Sequence, residues 1–124
     1  MIKFRAWHMP FGKYGAMQEM VYSRASHILA LAEMEPEKYI PEQFTGLTDM
    51  NCKEIYVGDI IVSKPNGTTY ESPKIGVVTR SKISPGWCYE TVTDEYNIWT
   101  SGKYRTYEII GNVHENPELL EEKK

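Results

Sequence analysis

The sequence predicts a mainly β fold (α+β overall). It comprises a small curved-sheet or barrel-like body, one appended helix and a short C-terminal helix, in a single domain over residues 1–124. Three observations lead there. Short β-branched and aromatic runs recur from Gln43 onward, broken by Gly, Pro, Asn and Asp. One segment, "SRASHILALAEMEPEKY", has helix-forming composition over several turns, and the chain ends on "ENPELL".

The elements follow in order. "IKFRAWH" sets Ile2, Phe4 and Ala6 against Lys3, Arg5 and Trp7, the period of a strand. "MPFGKYGAM" holds Pro10, Gly12 and Gly15 and reads as a hairpin-like connection into a second strand, "MQEMVYS". The helix then has Ser23 as its candidate cap and Pro36 as its stop. Arg24, Ile28 and Leu31 share one side, with His27 beside them.

"TGLTDMNCKEIYVGDIIV" is the most distinctive stretch, and it carries turn chemistry. Gly46 tolerates positive φ, and Asp49-Met50-Asn51 can bond its own backbone. The strand through Tyr56–Val62 is entered by a bulge or tight turn at Gly58-Asp59, where Asp59 bonds nearby amides. "EIYVGDIIVSK" runs to Pro65-Asn66-Gly67, a hairpin turn signal. "IGVVTRSK" closes at Ser84-Pro85-Gly86, and "WCYETVT", "EYNIWT" and "YRTYEIIGNV" complete the strands, the last two separated by Ser101-Gly102. Ile55, Ile60, Val62, Val77, Ile109 and Val113 are the expected core. In the tail, Asn116 is the expected cap and Pro117 the first helical residue, with Glu121 to Lys124 solvated.

Composition excludes several classes. A net charge of −3 argues against extended nucleic-acid binding, which needs clustered Lys and Arg. No apolar run approaches the ~20 residues of a membrane span, and no signal-peptide core opens the chain, so the expected location is a host cell's cytoplasm with no membrane partner. Cys52 and Cys88 lack zinc-site spacing and read as reduced thiols. Nine Tyr and three Trp suit a β-rich core, an interface or a stacking pocket, and imply a homo-oligomer that buries exposed rings.

"IKFRAW", "FTGLTDMNCKEIYVGDIIV" and "YEIIGNVHENPELLEE" together resemble the YopX family of phage and prophage proteins. That family opens on a KFRAW-like strand, carries a TGLKD-x-NGKEIYEGDIV block and closes on EVIGNIYENPELL. The match departs where Cys52 stands for the usual Gly and Val57 for a common Glu. The resemblance implies a β-rich accessory protein that often oligomerises. A related look among Thoeris anti-defence sponges implies sequestration of a cyclic ADP-ribose-type signal without cleavage.

The residues weigh against catalysis. His8, His27 and His114 are scattered outside any HxxxH or HExxH pattern, and "GKYG" lacks the spacing of a phosphate loop. Neither a catalytic residue, nor a metal site, nor a cofactor is expected. A small-nucleotide pocket asks for less: Arg forks and a flat aromatic face. The candidates are Arg24, Arg105 and Arg5 for phosphate, with Trp87, Tyr89, Asn97 and Trp99 for the base. Each has a plainer alternative: Arg stems cover apolar surface and pair with Glu, and aromatics fill cores and interfaces. Arg24 stands out because it opens an otherwise apolar helix, near amides that favour an anion. The leading expectation is therefore non-enzymatic sequestration of a small nucleotide immune signal against host antiviral defence. The alternative is a protein–protein adaptor on phage or host replication or transcription machinery, or a nucleic-acid-binding accessory protein.

Overall fold

Strand β1 (Phe4–His8) lies between β2 (Glu19–Ser23) and β3 (Tyr39–Thr48), antiparallel to both. The computed structural model describes residues 3–65, 73–81, 86–91, 95–98 and 105–120. The chain divides into two compact units, Met1–Phe44 and Thr45–Lys124.

In the first unit, helix α1 (Ala25–Met34) packs on β1 and β2, with Ile28 fully buried. The period-2 expectation for β1 meets a correction, because Arg5, Ala6 and Trp7 are all buried. A central strand covered on both faces loses its in–out alternation. Arg5 tolerates burial because Glu42 lies directly opposite on β3, with Arg5 Nε donating to Glu42 Oε1 at 2.8 Å. Ser23 is not the helix cap. It ends β2, its Oγ sits 2.8 Å from His27 Nδ1, and Arg24 occupies the cap position without a side-chain cap bond. Strand β3 starts at Tyr39, earlier than the pattern from Gln43 suggested, and it includes Pro41.

In the second unit, the end of β3 neighbours β4 (Glu54–Tyr56). A five-stranded sheet that curls into a half-barrel follows, in the order β8-β7-β6-β5-β9. Its strands are β5 (Asp59–Pro65), β6 (Lys74–Arg80), β7 (Trp87–Glu90), β8 (Glu95–Asn97) and β9 (Arg105–Asn112). All neighbouring pairs are antiparallel. The single strand expected through "EIYVGDIIV" is two strands, separated by a tight turn in which Gly58 has φ +95°. Asp59 Oδ2 accepts the Tyr56 amide there at 2.8 Å, as Asx chemistry predicts. The irregularity in register falls instead at Ile60/Ile61 against β9. The expected turns at Asn66-Gly67, Ser84-Pro85 and Ser101-Gly102 and the tail from Glu121 lie outside the described residues, although β5 and β6 pair as the first of those turns requires.

Ile55, Ile61, Val78, Tyr89, Ile98 and Tyr107 form the second unit's core cluster. Of the expected core, Ile55, Ile60 and Val62 are buried, whereas Val77, Ile109 and Val113 are half-buried. Val78, one residue on, takes the core position because it shares a face with Tyr89, its partner on β7. The C-terminal helix is one 3-10 turn, Pro117–Leu120. Asn116 does not cap it through its side chain, whose Oδ1 accepts the Asn112 amide instead.

Two outcomes check this packing by urea unfolding. Ile61→Ala should cost about 2–5 kcal/mol as a filled core site, and half-buried Val77→Ala clearly less. Arg5→Ala should cost about 3–5 kcal/mol, because it removes the cation paired with the buried Glu42 carboxylate.

Candidate functional site

The β1–β2 connection, residues 9–18, is built from two successive β-turns. The Gly12 amide donates to the Met9 carbonyl at 3.0 Å, and the Gly15 amide to the Gly12 carbonyl at 3.1 Å. Pro10 takes the second position of the first turn and Gly12 the fourth, where each is favoured. Gly15 is required by contact: a Cβ there would lie 2.5 Å from Phe11 Cβ and from its carbonyl oxygen.

Gln18 locks the two turns together. Its Nε2 donates to the carbonyls of Lys13 at 2.9 Å and Gly15 at 3.1 Å, with a longer approach to Gly12 at 3.4 Å. Its Oε1 accepts from Trp7 Nε1 at 2.8 Å, and Trp7 is itself buried. Both ends of one amide are thus used, one on the loop backbone and one on the sheet. Met17 completes the turn back into β2 at φ +63°, a conformation that costs a non-glycine residue about 1 kcal/mol or more.

This rigid loop turns apolar side chains outward. Phe11 is 68% exposed, Tyr14 93% and Met17 75%. Scattered surface hydrophobes need no explanation. Three within seven residues, on a loop held by dedicated hydrogen bonds, form a presented surface. Lys13 Nζ lies 5.6 Å from the Tyr14 ring centroid and adds a positive charge to it.

The residues expected to bind a nucleotide have separate environments. Arg5 is committed to Glu42 inside the first unit. Arg24 is exposed at the start of α1, whose first turn carries no acidic residue. Tyr89 is buried in the second unit's core, stacked on Tyr96 at 5.5 Å and edge-on to Tyr107 at 6.1 Å. Trp87 is half-buried, with the Arg80 guanidinium carbon 4.8 Å from its ring centroid. Asn97 on β8 pairs with Cys88 of β7, and Arg105 on β9 pairs with Pro65 of β5; nothing further is described of the Asn97 and Arg105 side chains. Trp99 lies outside the described residues. Among the described residues, no three His, Cys, Asp or Glu side chains are grouped as metal ligands, and no helix is long and apolar enough to cross a membrane. Sequence reasoning marked the 9–17 segment as a connection and missed Gln18. Its signal was the Pro-x-Gly-x-x-Gly spacing followed by a lone amide side chain.

The family model described as YopX protein matches residues 3–121. Among solved structures, the crystal structure of protein EF1440 from Enterococcus faecalis is similar at a TM-score of 0.60 and 23% identity, covering 98% of this chain and 99% of that one. At that identity the likeness concerns the fold. No curated protein matches the chain.

Gln18→Leu should destabilise the fold by about 1–3 kcal/mol, since buried Trp7 Nε1 loses its acceptor. It should also speed hydrogen exchange at the Gly12 and Gly15 amides. Unchanged exchange there would show that the turns hold without the clamp.

Proposed function

The chain belongs to the YopX family, and on that premise we propose that it acts by binding a protein partner, without chemistry, through the β1–β2 loop. The observation that carries this reading is the exposure of Phe11, Tyr14 and Met17 on a loop whose backbone Gln18 binds at two carbonyls. A loop ordered before binding does not spend association free energy on ordering, so its aromatic anchors contribute more to affinity. Tyrosine is among the residues enriched at binding hot spots. The absence of catalysis is supported by how the distinctive polar residues are used. Asp49, Asp59 and Asn112 accept backbone amides of their own turns, which is scaffold work.

Arg24 favours a second reading, sequestration of a small nucleotide. Its side chain is exposed at the start of α1 and makes no cap bond to the helix amides, and an Arg fork with a helix N-terminus suits a phosphate.

One experiment separates the two. A photo-crosslinking residue replaces Tyr14 in chain expressed in host cells, and purified wild-type chain is heated and its released small molecules are chromatographed. Covalent attachment to a protein, lost when Gln18→Leu loosens the loop, is expected. Intact nucleotide in the heat release, reduced by Arg24→Ala, without any protein adduct at position 14, would overturn the protein-binding reading in favour of the second.

A further inference from the structure

We propose that Ser23 is a site of covalent acylation, its hydroxyl activated by His27 and its acyl donor an acyl phosphate. This goes beyond the protein-binding reading: it concerns the start of α1, not the β1–β2 loop, and it holds whatever the loop binds. The observation is a nucleophile and a base in contact. Ser23 Oγ lies 2.8 Å from His27 Nδ1, and both residues are exposed. With the ring proton on Nε2, the hydroxyl donates to Nδ1, the arrangement in which an imidazole takes a serine proton.

Two regular elements hold the pair. Ser23 ends β2 opposite Phe4 of β1, and Arg24 leads into α1 in extended conformation, at φ −67° and ψ 154°. The His27 amide donates to the Arg24 carbonyl at 3.0 Å, which fixes the histidine in the first turn of the helix. A strand running straight into a helix thus places a serine and an imidazole within reach of each other. An exposed hydrogen bond of this kind competes with water and adds little to stability. Its exposure also leaves Oγ open to a donor from solvent.

The surroundings select the donor. Arg24, between the two in sequence, is exposed and has no hydrogen-bond or ion-pair partner for its side chain among the described residues. A departing phosphate meets it as a charge-assisted fork. The first amides of α1 point out of the same helix end and suit the oxyanion that forms when Oγ attacks a carbonyl. In that step the bond from Ser23 Oγ to the acyl carbon forms and the bond from that carbon to the phosphate oxygen breaks. Phosphate leaves with the electron pair, and the hydroxyl proton passes to His27 Nδ1. Among the described residues His27 has no side-chain partner besides Ser23. Once the serine is esterified, no third group keeps the ring aimed at a water, so the ester accumulates to one per chain.

Acetyl phosphate added to the full chain, with peptide mass spectrometry as the readout, tests this. Ser23 should gain an acetyl ester about a hundredfold faster than Ser26, an exposed serine in the same turn that bonds no imidazole. His27→Ala should bring Ser23 down to the rate of Ser26. Added imidazole should then restore part of the rate, which a merely structural role would not allow. Arg24→Gln should slow acetylation by acetyl phosphate about fivefold, the scale of an exposed ion pair. The same variant should react with the neutral donor p-nitrophenyl acetate as wild type does. The substituted side chains are exposed, so melting temperatures should match wild type. Equal rates at Ser23 and Ser26 overturn the proposal. So does a Ser23 rate indifferent to His27→Ala, a phosphoryl group on His27 in place of the ester, or repeated turnover of p-nitrophenyl acetate without accumulating ester. Wild-type rates of Arg24→Gln with both donors overturn the choice of an acyl phosphate.

Discussion

The second unit depends on one carboxylate. Asp49 is buried, and its Oδ1 accepts the amides of Asn51 at 2.8 Å and Lys53 at 2.9 Å while Oδ2 accepts the Ile109 amide at 3.0 Å. The first two bonds shape the turn between β3 and β4. The third reaches sixty residues along the chain to β9, and the neighbouring Met50 amide donates to the Tyr107 carbonyl at 2.8 Å. Hydrogen bonds to a charged acceptor are worth roughly twice neutral ones, so this side chain fixes β9 against the turn. Strand β9 then pairs β5 from Asp59 to Pro65, and β5 carries β6 on its other edge. The turn also sets a conformational demand: Cys52 sits at φ +65°. That is the position at which the family blocks quoted above carry glycine, and a left-handed backbone is the physical reason for a glycine there.

The same economy recurs at other corners. Asp59 holds Tyr56, and Asn112 Oδ1 accepts the amides of His114 and Glu115 while its Nδ2 donates to Glu115 Oε1. This explains why the most distinctive stretch of the sequence is rich in Gly, Asp and Asn without any nucleophile–base pair. Its polar residues are spent on backbone amides that a tightly curved sheet leaves unpaired.

What was legible in the sequence follows the range of each interaction. Asp59 bonding its turn, positive φ at Gly46 and Gly58, and Pro117 opening the last helical turn are decided within four residues, and each was readable from local chemistry. The burial of Arg5 was not, because its cause is Glu42, thirty-seven residues away. Nor was the end of α1's cap: Ser23 has the right chemistry for a cap, but pairing with Phe4 in β2 holds its position as strand. The aromatic supply shows the same division. Composition could not say whether Tyr89 fills a core or a stacking pocket, and tertiary packing places it among Ile61, Val78 and Tyr107. For the candidate site, the glycines and proline of the loop were visible, but the amide that clamps them was not. A glutamine has no fixed structural meaning until the carbonyls it meets are known.

The loop is the place where this chain departs from its own economy. Elsewhere Trp7, Tyr56, Tyr89 and Tyr107 are buried and turn residues answer a need of the sheet. Between β1 and β2, two turns, a contact-limited Gly15, a left-handed Met17 and an amide clamp hold a surface whose Phe11, Tyr14 and Met17 stay mostly in water. A β-hairpin joins its strands with two residues at lower conformational cost, so connection alone does not account for ten. Strain and exposure persist where the surrounding structure enforces them, and such places mark function more often than folding. The enforcement here runs from the buried Trp7 indole through Gln18 to the carbonyls beneath Tyr14, which makes the presented surface an extension of the first unit's core.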